Sequence, residues 1–165
     1  METNSDLYEA TKGEDDLGVV IRSHIIIEKS LNSFIESLMY DKKEFRNIKL
    51  EFDKKVKLAV SLGLTDRFKA PLRSLGKLRN QFAHTIRSEI SAQDANNLYK
   101  SFSAEDKEVL HDSLSKTRKE LPEYRVDEYK DLAPRVKYIF NVVVLNAGLE
   151  AARKQIPYKE RQSGT

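Results

Sequence analysis

The stretch DDLGVVIRSHIIIEKSLNSFIESLMY, from Asp15 to Tyr40, decides the fold. Within it Leu17, Val20, Ile21, His24, Ile27, Leu31, Phe34, Ile35 and Leu38 recur at steps of three and four. That spacing gathers side chains on one face of an α-helix, whereas a half-buried strand would alternate at every second residue. The spacing therefore predicts one long amphipathic helix over 15–40. A helix with such a stripe needs other elements to cover it, so this segment reads as the first wall of a larger core.

Helix punctuation continues outward from this wall. After a charged connector, Phe52, Val56, Ala59 and Val60 predict a second helix, with Gly63 placed as its left-handed C-terminal cap and Leu64 restarting the core. Pro71 fits the first turn of the next helix, where its missing N–H is no loss. Ser91 with Asp94, and Ser103 with Asp106, each set a hydroxyl three residues ahead of an acid, the pattern of a capping box opening a short helix. Leu121 to Tyr129, with Pro122, reads as a loop. Pro134 opens a last long helix that ends near Lys154, before Pro157, and the residues after it read as a mobile tail. No alternating strand pattern, hairpin dipeptide, internal repeat or low-complexity tract interrupts this series. The expected fold class is all-α, a single-domain helical bundle of about five to seven helices. Its expected division is a polar segment over 1–14, a helical domain over 15–155 and a tail over 156–165.

Composition bounds the rest. The chain has 165 residues, of which 39% are hydrophobic and 33% charged, enough for one domain with a core of its own. A net charge of +3 is too small and too mixed to announce nucleic-acid binding. There is no cysteine, which removes disulfides, thiolate catalysis and cysteine-ligated zinc, and fits a reducing compartment. Met1 to Asp16 is polar and acidic, without the order of a secretory signal, so the cytoplasm is the expected location. The apolar run Tyr138 to Leu149 falls short of the roughly 20 residues that a membrane span needs. It reads either as a central helix buried on most sides or as a helix with one face on its own core and another on a second subunit; an exposed strand is the lesser alternative.

Chemistry concentrates in the helix that Pro71 opens. Stepping about 100° per residue puts Leu72, Leu75, Phe82 and Ala83 on one face with Arg79 along its centre, followed by Asn80 and His84. A guanidinium cannot be buried unpaired, so Arg79 must meet a carboxylate, backbone carbonyls or a solvent-filled cleft. Elsewhere the catalytic vocabulary is sparse, with no glycine-rich phosphate loop, no close histidine pair and no Gly-x-Ser-x-Gly elbow. His24 on the first apolar stripe and His111 after Leu110 both read as hydrogen-bonded structural histidines.

Leu58-Ala59-Val60-Ser61-Leu62-Gly63-Leu64, followed by Leu75-Gly76-Lys77-Leu78-Arg79-Asn80-Gln81-Phe82-Ala83-His84, resembles the mannitol operon repressor (MtlR-like) family, whose members carry a leucine-glycine-leucine turn before an Arg-Asn-x-Phe-Ala-His helix. The resemblance covers roughly Phe52 to Thr85. It implies a regulator of transcription. The Arg-x4-His pattern also resembles the HEPN superfamily of helical domains, in which active members cleave RNA without metal and others are inactive binding modules. Carried over, that resemblance implies that Arg79 holds the scissile phosphate, His84 moves the 2′-hydroxyl proton and Asn80 orients one of them.

Helix geometry limits the second reading. Asn80 and His84 are neighbours on one face, but Arg79 lies about 140° from His84 around the axis, so one chain would not aim both at one phosphate. Two copies across a twofold axis could. The bland alternative is that Arg79 pairs with an acid such as Glu28, Asn80 ties down a loop carbonyl and His84 caps the helix end. A further candidate is the basic stretch Lys42, Lys43, Arg46, Lys49, Lys54, Lys55 and Lys57, which Glu44, Glu51 and Asp53 interrupt and which no series of aromatics accompanies, so it also reads as a solvated face. The turn at Gly63 joins two helices without a recognisable DNA-reading helix.

The leading expectation is an MtlR-like repressor of a sugar-utilisation or similar operon, working as a non-enzymatic interaction module through a protein partner such as another regulator or a transport component. The alternative is a metal-independent endoribonuclease or toxin of HEPN type with a composite site in a homodimer. Neither needs a cofactor or a metal. Direct DNA binding and membrane insertion are not expected, and RNA enters only under the alternative.

Overall fold

The computed structural model describes residues 11–120 and 128–156. Residues 1–10 of the expected polar segment 1–14, residues 121–127 of the expected loop 121–129 and residues 157–165 of the expected tail 156–165 lie outside those residues. Seven α-helices make up the described chain: α1 (Asp16–Leu38), α2 (Lys42–Ile48), α3 (Phe52–Ser61), α4 (Lys69–His84), α5 (Ala92–Ser101), α6 (Ala104–Glu120) and α7 (Pro134–Lys154). Single turns of 3-10 helix precede α4 at Asp66–Phe68 and α7 at Tyr129–Asp131. No strand occurs among the described residues, so the all-α bundle read from the sequence is the observed fold.

Local chemistry sets the helix ends. The Asp15 carboxylate accepts from the Gly18 N–H at 2.7 Å and starts α1. At the end of α3, Gly63 has φ +112, its N–H bonds the Val60 carbonyl, and the Leu64 N–H bonds the Ala59 carbonyl at 2.9 Å. This pair of bonds is a Schellman motif, with Leu64 buried as its apolar anchor. The Ser91–Asp94 capping box forms in full, and Ser103 with Asp106 makes the hydroxyl–carboxylate contact at 2.7 Å. Pro134 opens α7 as expected.

The charged connector after Tyr40 proves to be helical. Asp41 caps the N–H groups of Lys43 and Glu44 at 2.9 and 3.0 Å, and Phe45 anchors the short helix in the core. Seven residues give too few apolar positions to reveal a period, which is why spacing alone misses α2.

α1 and α7 form the most extensive helix pair, and they run in the same direction. Near their starts Arg135 meets Asp16 at 2.7 Å, and further along both helices the Ser30 hydroxyl donates to Asn146 Oδ1 at 2.7 Å. The second Asp16 oxygen accepts from the Ile90 N–H, tying the segment before α5 to the same corner. Ile27, Leu31 and Ile35 of α1 join Leu72 and Leu75 of α4, Leu98 of α5 and Val142, Leu145 and Leu149 of α7 in the core, all of them buried. On the far side of α7, Leu110 and Leu114 of α6 cover Val144 together with Tyr129. α7 is therefore the central helix, covered by α1 and α5 on one side and by α6 on the other. No described helix is long and apolar enough to cross a membrane.

α7 carries polar groups into this interior. Asn141 accepts from the Tyr129 hydroxyl at 2.9 Å and Asn146 accepts from Ser30, whereas the Asn146 Nδ2 has no hydrogen-bond partner among the described residues and the Tyr138 hydroxyl lies beside the Ser23 hydroxyl of α1.

Two outcomes follow for stability. Gly63→Ala places a Cβ in the left-handed region and lowers unfolding free energy by about 1–2 kcal/mol in urea titration. Ser30→Ala strands the Asn146 amide and costs about 1–3 kcal/mol, and adding Asn146→Leu in that background recovers most of the loss because both polar partners are then gone.

Candidate functional site

The site is built where α1, α3 and α4 meet. Gly76 makes it possible, since a Cβ there would stand 3.0 Å from the Phe52 ring. Without one, the Phe52 ring lies against α4, and its other side packs on His24 of α1 with ring centroids 4.4 Å apart. His24 is 7% exposed, and its Nδ1 stands 3.8 Å from Glu28 Oε2 one turn on. Glu28 in turn receives Lys55 of α3 at 2.7 Å. Two helices, α1 and α3, thus place an imidazole, a carboxylate and an ammonium group within one half-buried cluster, which α4 approaches closely at Gly76.

Arg79 borders this cluster from α4. Burial pushes the His24 imidazole below its ordinary value of 6.5; the Glu28 charge opposes that shift, and the Arg79 and Lys55 charges reinforce it. His24 is therefore neutral at neutral pH.

Arg79 is half-buried, and its Nη1 donates to the side-chain oxygen of Asn80 at 3.1 Å. Among the described residues it has no carboxylate partner. The expected pairing with Glu28 does not form, because Lys55, projecting from the facing helix, occupies that carboxylate. Nor does Asn80 donate to a loop carbonyl among the described residues; its side chain is exposed and its oxygen accepts from Arg79. His84 is exposed at the last position of α4, and the Gln81 carbonyl at that helix end is bonded by the N–H and hydroxyl of Thr85. His84 therefore does not close the helix.

The buried face of α4 also differs from the expected one. Leu72, Leu75, Gly76, Leu78 and Phe82 are buried, whereas Ala83 is exposed. The reason is that α4 is covered on two sides, by α1 and α3 and by α5, which draws Leu78 inward. Arg79 sits at the margin of that buried face, and Asn80 and His84 face solvent.

The other sequence candidates resolve into structural pairs. His111 Nε2 and the Tyr99 hydroxyl are hydrogen-bonded at 2.9 Å, and both rings pack on Tyr129. In the basic stretch, Arg46 holds Glu36 through two bonds of 2.8 and 2.9 Å, Lys57 holds Asp53 at 2.9 Å, and Lys55 is the Glu28 partner. Among the described residues no three histidine, aspartate or glutamate side chains gather as metal ligands. Sequence reasoning saw His24 and Glu28 separately; their spacing of four residues was the available signal, and Lys55 joins them only through the fold. Compared with known protein families, curated proteins and solved structures, the chain matches none.

A histidine whose folded-state value lies below its unfolded one binds fewer protons in the native state. Its contribution to stability is therefore complete above about pH 6.5 and declines as the pH falls from there toward the folded-state value. Urea midpoints measured between about pH 7 and 5 should fall on acidification in the wild type, and His24→Gln should flatten that slope.

Proposed function

We propose that the chain is a non-enzymatic helical interaction module, an MtlR-like regulator of transcription for a sugar-utilisation or comparable operon that acts through a protein partner. The outer end of α4 carries this reading. Asn80, Ala83 and His84 face outward there, and two residues past the helix Ile86 is fully exposed, at 108%. An aliphatic side chain beside an imidazole and an amide has the make-up of a protein contact, an apolar anchor within a polar surround. The ion pairs of Arg46, Lys55 and Lys57 support an indirect mechanism, since they leave fewer free cations along that stretch for a phosphate backbone. The core-facing Leu72, Leu75 and Phe82 likewise argue against α4 as a recognition helix.

One observation favours the second reading, a metal-independent endoribonuclease of HEPN type. Arg22, Arg46, Arg67, Arg73, Arg87, Arg135 and Arg153 each meet a carboxylate; of the two other described arginines Arg118 is exposed, whereas the half-buried Arg79 meets only the neutral Asn80 among the described residues. A half-buried guanidinium without a counter-charge suits a phosphate oxygen. In this reading Arg79 of one copy would act with His84 of a second, because about 140° separates them on a single helix.

Incubation with labelled single-stranded RNA in EDTA, comparing wild type with His84→Ala after circular dichroism has shown both to be folded, separates the two. The regulator reading expects no cleavage by either protein. It also expects Ile86→Asp to weaken partner retention on the immobilised chain without shifting its thermal midpoint. Cleavage by the wild type alone establishes the nuclease and removes the regulator.

A further inference from the structure

A groove of about 420 Å³ runs between α4 and α5, within the size range of small-molecule sites, roughly 300–1,000 Å³. Arg73, Lys77 and Gln81 follow one another at single-turn spacing along its α4 side, and Asn97 stands on the α5 side. The inner wall is apolar, with Leu78 and Leu98 buried. The cations outweigh the acid that borders the groove. Asp94 is already engaged by Arg87 and by the N–H and hydroxyl of Ser91, each of the latter at 2.8 Å. Arg73 reaches Asp53 at 3.0 Å but shares that carboxylate with Lys57, and Lys77 has no ion pair among the described residues.

A second observation lies at the inner end. Tyr138 borders the groove, closing it there with a wholly buried side chain whose hydroxyl lies beside Ser23 of α1. Burial pushes this phenol well above its ordinary value, with the Ser23 contact opposing the shift, so it stays protonated.

We infer that the α4–α5 groove binds a small organic anion. Its phosphate or carboxylate head group lies between Arg73 and Lys77, where a guanidinium fork and an ammonium charge both favour an oxyanion. Gln81 and Asn97 bond hydroxyls on the ligand body, and Leu78 and Leu98 receive its C–H face. The inference is independent of the Arg79 and His84 readings, which concern other faces of α4.

Calorimetric titration and thermal unfolding with ribose 5-phosphate, gluconate and uncharged ribose test it. At least one of the two anions should bind saturably and raise the unfolding midpoint while ribose does neither, and the anion that binds more tightly decides between phosphate and carboxylate. Lys77→Glu should weaken binding by about tenfold or more, and Lys119→Glu on α6 should leave it unchanged. Absence of saturable binding of both anions up to about 10 mM, equal binding of ribose, or indifference to Lys77→Glu would overturn the inference.

Discussion

The parallel packing of α1 against α7 is the constraint on which the remaining structure depends. Their starts are clasped by Asp16 and Arg135, and Ser30 meets Asn146 further along. Two parallel helices cannot be joined by a short turn, so the chain between them must travel back from the end of α1 to the start of α7. α2 to α6 make that return while covering the apolar faces that the pair leaves open. The Asp16 carboxylate suits the start of α1, where the helix dipole favours an anion, and it compensates the Arg135 cation at the less favourable start of α7. Its bond to the Ile90 N–H extends that corner to the approach of α5.

From this frame the half-buried cluster follows by contact. α4 is held against α1 and α3, and the missing side chain at Gly76 admits Phe52, which presses on His24. Buried and flanked by Arg79 and Lys55, the imidazole keeps its neutral form although Glu28 stands beside it. The Lys55–Glu28 pair is only partly withdrawn from water, so it serves to fix how α3 lies on α1 more than as a source of large stability. Arg79 is left at the margin with an amide neighbour, a cation placed by packing around it and not by an opposing acid.

Much of the fold was legible because its signals are local. The α1 stripe, the Gly63 turn, the Ser91–Asp94 box and Pro134 each act within one or two helical turns, and the structure has each of them as read. The stripe on α1 was nevertheless approximate at its ends, where Leu17 and Leu38 are exposed, and it omitted Ser23 and Ser30, which are buried. A hydroxyl gives no apolar signal, so its burial appears only when Tyr138 and Asn146 of α7 are brought opposite. The same limit explains Ala83, taken for a core position and found exposed, and Leu78, buried because α5 covers a second side of α4.

The sequence by itself determined that this chain is all helical, where most of its helices begin and end, and that Arg79, Asn80 and His84 share one of them. Those properties arise from backbone capping and from the periodicity of neighbouring residues, which distant parts of the chain do not alter. Only the tertiary structure decided that Lys55 and not Arg79 takes Glu28, that His24 is held neutral under Phe52, and that Arg73, Lys77 and Asn97 face a common groove. Each of these joins residues on separate helices, and such partners are selected by packing and by the direction in which α1 and α7 run, neither of which is written in local spacing.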